Sequence, residues 1–181
     1  MPLQLVLETP CLRACHEAAN DILFLEWQEC VTLSAVQVAS CQLVQLTAAR
    51  PYRRVLVSTQ HVGRIGREIP AWAVRSLLPG LRLMGVEHLA WVSSSSLEML
   101  RLADHLIRQF PTTQGSLFAD VEHAVNWLRH QAAATLSPPA VARPASQARR
   151  LRRVAQVVNW QVLTRLARHP LWPVIEGKDL R

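Results

Sequence analysis

The fold turns on RRVLVSTQHVGRIGREIP, Arg53 to Pro70. Val55 to Ser58 is a short run of β-branched and aliphatic residues, the composition of a buried strand. Polar residues and two glycines, Gly63 and Gly66, follow it. Pro70 suits the first turn of a helix, where its missing N–H costs nothing. Strand, loop and helix in this order make the repeating unit of a parallel α/β sheet. In such sheets ligands sit beyond the carboxyl ends of the strands. The loop therefore raises a question: does it cradle a phosphate, or only turn a corner?

Working towards the N-terminus, Ile22 to Trp27 (ILFLEW) is apolar on both faces and reads as a central, covered strand. Leu3–Glu8 and Cys11–His16 are shorter strand-like runs, with Asn20-Asp21 as a turn before Ile22. Ser34-Ala-Val-Gln37 matches a helix capping box. Val36, Ala39, Leu43 and Leu46 then share one helical face up to about Ala49. Towards the C-terminus, Ile69, Trp72, Ala73 and Leu77 form the inner stripe of a helix that Pro79-Gly80 is expected to end. Val86–Val92 reads as the next strand. Ser95-Ser-Leu-Glu98 is a second capping box, ahead of Met99, Leu102, Ala103, Leu106 and Phe110 at helical spacing. Leu117-Phe118 is a brief strand. Asp120 caps a last helix with Val121, Ala124, Val125 and Leu128 inward.

This order predicts an α/β domain: a mainly parallel sheet with an antiparallel N-terminal hairpin edge, covered by helices. The domain spans residues 1–131. Residues 132–148 are rich in Ala, Pro and Ser and have linker composition. In 149–181, a basic C-terminal tail, Leu151, Val154, Val158, Val162 and Leu166 form the stripe of an amphipathic helix stopped by His169-Pro170. No internal repeat is visible.

The 181 residues are half apolar and carry a net charge of +7. Residues 1–136 hold eleven basic and eleven acidic residues, whereas 137–181 hold nine basic and two acidic. Any anionic partner is thus a matter for the tail. The cysteines, Cys11, Cys15, Cys30 and Cys41, form no C-x-x-C pair and are expected to be free thiols in a reducing cytosol. The N-terminal residues lack a secretory signal pattern, and no apolar run approaches the ~18–20 residues of a membrane span. The expectation is a cytoplasmic protein.

Three landmarks carry a family resemblance: ILFLEW (Ile22–Trp27), STQHVGRIGREIPAW (Ser58–Trp72) and SLFADVEHAVNWLR (Ser116–Arg129). Over roughly residues 3–131 they resemble the SpoIIAA-like branch of the STAS superfamily, which contains the bacterial anti-sigma-factor antagonists. The last landmark is similar to the family's closing strand and its F-x-D-x-E-x-A-x-x-W-L helix. The resemblance implies a SpoIIAA-like fold and a non-enzymatic regulatory or protein-interaction module. In the family's switch members a kinase phosphorylates the serine of an Asp-Ser-Ser-Gly turn. Here the matching strand end reads Val57-Ser-Thr-Gln-His-Val-Gly-Arg64, so that turn is absent and the phosphoswitch is not expected. The superfamily's architecture also resembles CRAL-TRIO lipid-transfer domains. This gives an alternative, a small-molecule or lipid carrier with a cavity under the tryptophan-bearing helices.

Several residues are candidates for a site. Gly63-Arg-Ile-Gly66 is not a P-loop, since no lysine follows it. A helix start there, with His61, Arg64 and Arg67 beside it, would suit an anion, or the glycines only supply turn geometry. Ser58 and Thr59 are the nearby hydroxyls. His61 beside them lacks an evident orienting acid other than Glu68, and no nucleophile elbow is present, so an enzyme is the third reading. Glu26 and Glu29 flank Trp27 and read as solvated carboxylates. Trp27, Trp72, Trp91 and Trp127 fall on four elements. They either fill the core or rim a groove, with Trp72 the best placed for the rim. Ser93 and Ser94 lie at a strand's carboxyl end and either precede a helix cap or join the loop's surface. Arg149, Arg150, Arg152 and Arg153 make the tail basic. The tail helix is expected to dock on its own domain or a second copy, as a homodimer, and a solvated, flexible arm is the next reading. Nucleic acid and a membrane surface are the lesser readings, because no nucleic-acid-binding motif accompanies it. No metal or cofactor is expected.

Overall fold

The computed structural model describes residues 3–29, 32–63, 65–66, 68–83, 85–93, 96–109 and 114–134. The linker beyond Ala134 and the tail with Arg149, Arg150, Arg152 and Arg153 lie outside them, as do Cys30, Arg64, Arg67, Ser94, Ser95 and Phe110.

Six strands form one mixed sheet in the order of the chain. β1 (Leu3–Glu8), β2 (Leu12–Glu17) and β3 (Ile22–Trp27) pair antiparallel. β4 (Arg54–Thr59), β5 (His88–Ser93) and β6 (Gln114–Phe118) follow, each parallel to its neighbour from β3 onwards. The expected hairpin edge and parallel body are both present. The turns follow from local chemistry. The Thr9 hydroxyl accepts from Leu12 N at 2.8 Å and closes the β1–β2 turn. Asp21 takes a positive φ of 50°, which Asn and Asp tolerate better than most residues.

Successive crossovers in one direction, each right-handed, place their helices on the same face of the sheet. That face carries α1 (Leu33–Ala49), the composite segment Glu68–Leu83 and α4 (Leu97–Arg108). Leu23, Leu43 and Leu89, all fully buried, lie in the core beneath them. Each contributes about 1.5–3 kcal/mol by leaving water. The opposite face is covered by one helix, α5 (Val121–Ala134), over a smaller core of Ile22, Leu56, Ala90, Val92 and Leu128.

Four expectations are corrected. The N-cap of α1 is Thr32, whose hydroxyl accepts from Ala35 N at 3.3 Å; Ser34 lies in the first turn. Both residues are hydroxylated, and the extended backbone needed at a cap falls on Thr32. The second helix runs past Pro79-Gly80 to Leu83. It comprises α2 (Glu68–Trp72), a π-helical turn (Ala73–Leu77) and α3 (Leu78–Leu83). Pro79 has no N–H for the carbonyl one turn back, and the wider turn falls where that α-helical bond is lost. β6 begins three residues earlier than expected, at Gln114. Cys15 and Cys41 are free thiols, but Cys11 is disulfide-bonded. Hairpin pairing brings the chain after β3 against it, with Gln28 N donating to the Cys11 carbonyl at 2.8 Å. No described helix is long and apolar enough to cross a membrane.

Candidate functional site

The carboxyl ends of β3, β4 and β5 carry Trp27, Thr59 and Trp91 on the face shared with α1 and α4. The Trp91 indole Nε1 donates to the Thr59 hydroxyl at 3.1 Å, and that hydroxyl donates to the Val92 carbonyl at 3.3 Å. Both side chains are buried, at 6% and 5% exposure. They lie against a cavity of about 70 Å³.

The surrounding elements bring mostly apolar side chains to this cavity. α1 contributes Val36, and the strand ends contribute Trp27 beside Gln28. The composite helix contributes Ile69, Trp72, Ala73 and Leu77. Met99, Leu102 and Leu106 come from one face of α4. The loop after β4 turns Val62 and Ile65 inward. The opening question thus has a structural answer: the loop is a wall of an apolar pocket. Gln28 and Thr59 are the polar lining residues, and Thr59 already makes both bonds described above.

Trp27, Trp72 and Trp91 converge here, at once core residues and pocket wall. Trp127 is on the other face, against Phe118 and His88 at 5.6 and 6.2 Å between ring centroids. Burial there holds the His88 imidazole below its ordinary range.

No family model matches the chain, and no curated protein matches it. A solved structure does. The chain is similar to an uncharacterized protein of the DUF3478 family, with a SpoIIAA-like fold, from Shewanella loihica PV-4. Identity is 13%, the TM-score is 0.47, and the match covers 71% of this chain and 96% of that one.

The remaining candidate residues fall around the pocket or away from it. Ser58 points to the α5 face, opposite Thr59, and is buried with its hydroxyl 3.5 Å from Gln60 N. His61 is 62% exposed and pairs with Glu26 at 3.3 Å. Among the described contacts no hydrogen bond joins His61 to Ser58 or Thr59, so the geometry of a base and its nucleophile is missing. Gly63 and Gly66 have no positive φ; among described glycines only Gly85 does, at 88°. Turn geometry therefore does not explain them. A Cβ on Gly66 would stand 2.8 Å from a Glu68 oxygen, and one on Gly63 would stand 3.8 Å from a Glu29 oxygen. Carboxylates thus stand beside both glycines, and Arg64 and Arg67, the cations of the expected anion site, lie outside the described residues. Ser93 is buried, its hydroxyl without a protein partner. Among the described residues no group of three His, Cys, Asp or Glu side chains is placed to hold a metal.

Sequence reasoning named Trp72 and missed Val36, Met99, Leu102 and Leu106. Their helical spacing was plain, but spacing marks an inward face and cannot distinguish a filled core from a lined cavity.

Proposed function

We propose that this protein is a non-enzymatic, protein-interaction module of SpoIIAA-like type, and that its pocket receives one aliphatic side chain of a partner. The carrying observation is the pocket's size and wall. At about 70 Å³ it has room for roughly two water-sized volumes of ~30 Å³ each. That is about half of an engineered 150 Å³ cavity able to take benzene, and far below a lipid tail. A Leu, Ile or Met tip is a good match. An apolar anchor in a desolvated pocket is how interfaces concentrate their binding energy.

The working surface is then the loop and helix start from Val62 to Trp72, facing α4. The absence of a phosphoswitch is supported by the burial of Ser58 and Thr59. The tryptophan wall also supports a second reading, a small apolar ligand of the same cross-section.

The test selects random peptides displayed on phage against the full chain and against Ala73→Leu, which places an isobutyl group in the pocket. Enriched peptides should share one aliphatic residue and lose binding to the variant. No enrichment, or binding indifferent to Ala73→Leu, contradicts the proposal. A small apolar molecule that co-purifies with the wild-type chain and is absent from the variant supports the second reading instead.

A further inference from the structure

The two faces of the sheet are covered unequally. α5 makes its main contacts with β4, β5 and β6. On its side, Leu5, Cys15, Phe24, Leu56 and Ala90 are register partners in a row across five strands. Leu56 and Ala90 are buried in the core beneath α5, whereas Cys15 and Phe24 are half-buried and Leu5 is 51% exposed. Leu3, opposite Glu17, is equally exposed on the same face. A bulge between Leu5 and Leu7 is what sets this phase, since Leu7 turns to the other core. The result is an apolar strip over β1–β3, reaching the edge of the sheet, that no element among the described residues covers. Proteins seldom leave such a strip bare.

We infer that residues 149–168 of this same chain cover the strip. Three observations favour that occupant. First, α5 ends beside the strip: Arg129, in its C-terminal half, pairs with Glu17 of β2 at 3.3 Å. Second, the sequence places Leu151, Val154, Val158, Val162 and Leu166 at helical intervals. Twenty residues of helix extend about 30 Å, more than the ~20 Å of a six-residue strand. Residues 135–148 are amply long to reach from Ala134. Third, the carboxylates Glu8 and Glu26 lie along the strip, complementary in sign to a segment bearing Arg149, Arg150, Arg152 and Arg153. The inference is independent of the pocket, which lies on the other face.

Cys15 is a native reporter, because its free thiol lies in the strip, while Cys41, a buried residue of α1, is an internal control. The experiment alkylates the full chain with iodoacetamide and follows each cysteine by peptide mass spectrometry. It compares wild type with Val158→Asp/Val162→Asp. A segment docked in about nine molecules of ten protects about tenfold, so Cys15 should react about tenfold faster in the variant with Cys41 unchanged. An unchanged Cys15 rate overturns the inference. So does a wild-type dimer that the substitutions convert to monomer, which places the segment on a second copy. Should Cys41 also accelerate, Leu5→Lys on the exposed strip decides. Amide exchange over 149–168 should then quicken, and unaltered exchange overturns the inference.

Discussion

Trp91 and Thr59 are joined across neighbouring parallel strands by an indole N–H to hydroxyl bond of 3.1 Å, under the floor of the pocket. The bond fixes the ring that closes the cavity from below. It also occupies the one hydroxyl of the β4 end that faces the apolar wall, so Thr59 is held in two hydrogen bonds within the fold. Fold and site meet in that pair.

Thr59→Val keeps the side chain's shape and leaves the Trp91 N–H buried without an acceptor. The cost should be about 1–3 kcal/mol, the desolvation penalty of an orphaned donor. Thr59→Ser, which keeps the hydroxyl, should lose clearly less. Urea unfolding followed by circular dichroism measures both. Equal losses would show that the hydroxyl does not hold the ring.

Glu17 is 1% exposed and accepts from Arg129 at 3.3 Å and Asn20 at 2.9 Å. Removing one partner of a buried pair strands a charge. Arg129→Leu should therefore cost about 3 kcal/mol, while Glu17→Leu/Arg129→Leu should recover most of it. A double-mutant cycle in urea reads the coupling. A neutral Arg129→Leu would contradict the assignment.

His88 gives a pH dependence of known sign. Burial is the main cause of its lowered pKa, with Arg54 acting the same way and Glu87 opposing. The unfolded chain, with an ordinary imidazole value near ~6.5, takes up a proton before the folded one does. The stability contribution is complete above that value and is lost as pH falls below it towards the folded value. Between pH 7 and pH 5 the unfolding free energy should decline, and His88→Phe should decline less steeply. Identical slopes for the two proteins would refute this.

The helix cap offers a clean contrast. Thr32→Ala removes the side-chain oxygen that accepts from Ala35 N and should cost about 1 kcal/mol. Ser34→Ala, inside the first turn, should change stability by no more than about 0.5 kcal/mol. Thermal melts of the two variants separate the cap from its neighbour.

Much of the fold was legible because the signals were local. ILFLEW, apolar on both faces, could only be a covered strand, and Ile22 and Leu23 are both fully buried. Asn20-Asp21 announced its turn. The second helix was misjudged because Pro79-Gly80 is a strong local breaker, yet the π-helical turn before it lets the helix continue, supported by packing. The Cys11 disulfide escaped because pairing follows from the hairpin register, which brings Gln28 to Cys11, and no spacing rule encodes that. The site was half legible. The loop after β4 does form a wall of the pocket, but its polar residues drew attention to anions. Val62 and Ile65, the residues it turns inward, looked like filler. A cavity is a property of three-dimensional packing, and Met99, Leu102 and Leu106 carry the same inward spacing whether or not they enclose one.

The most direct test is a methyl NMR titration of the full-length chain with N-acetyl-leucine amide, an isolated aliphatic side chain. Methyl signals of Val36, Met99 and Leu106 should shift together and saturate, while those of Ile22 and Leu128, beneath α5, stay still. Shifts confined to the α5 face, or none at all up to the solubility limit, would contradict the claim that the tryptophan-walled pocket is a receiving site.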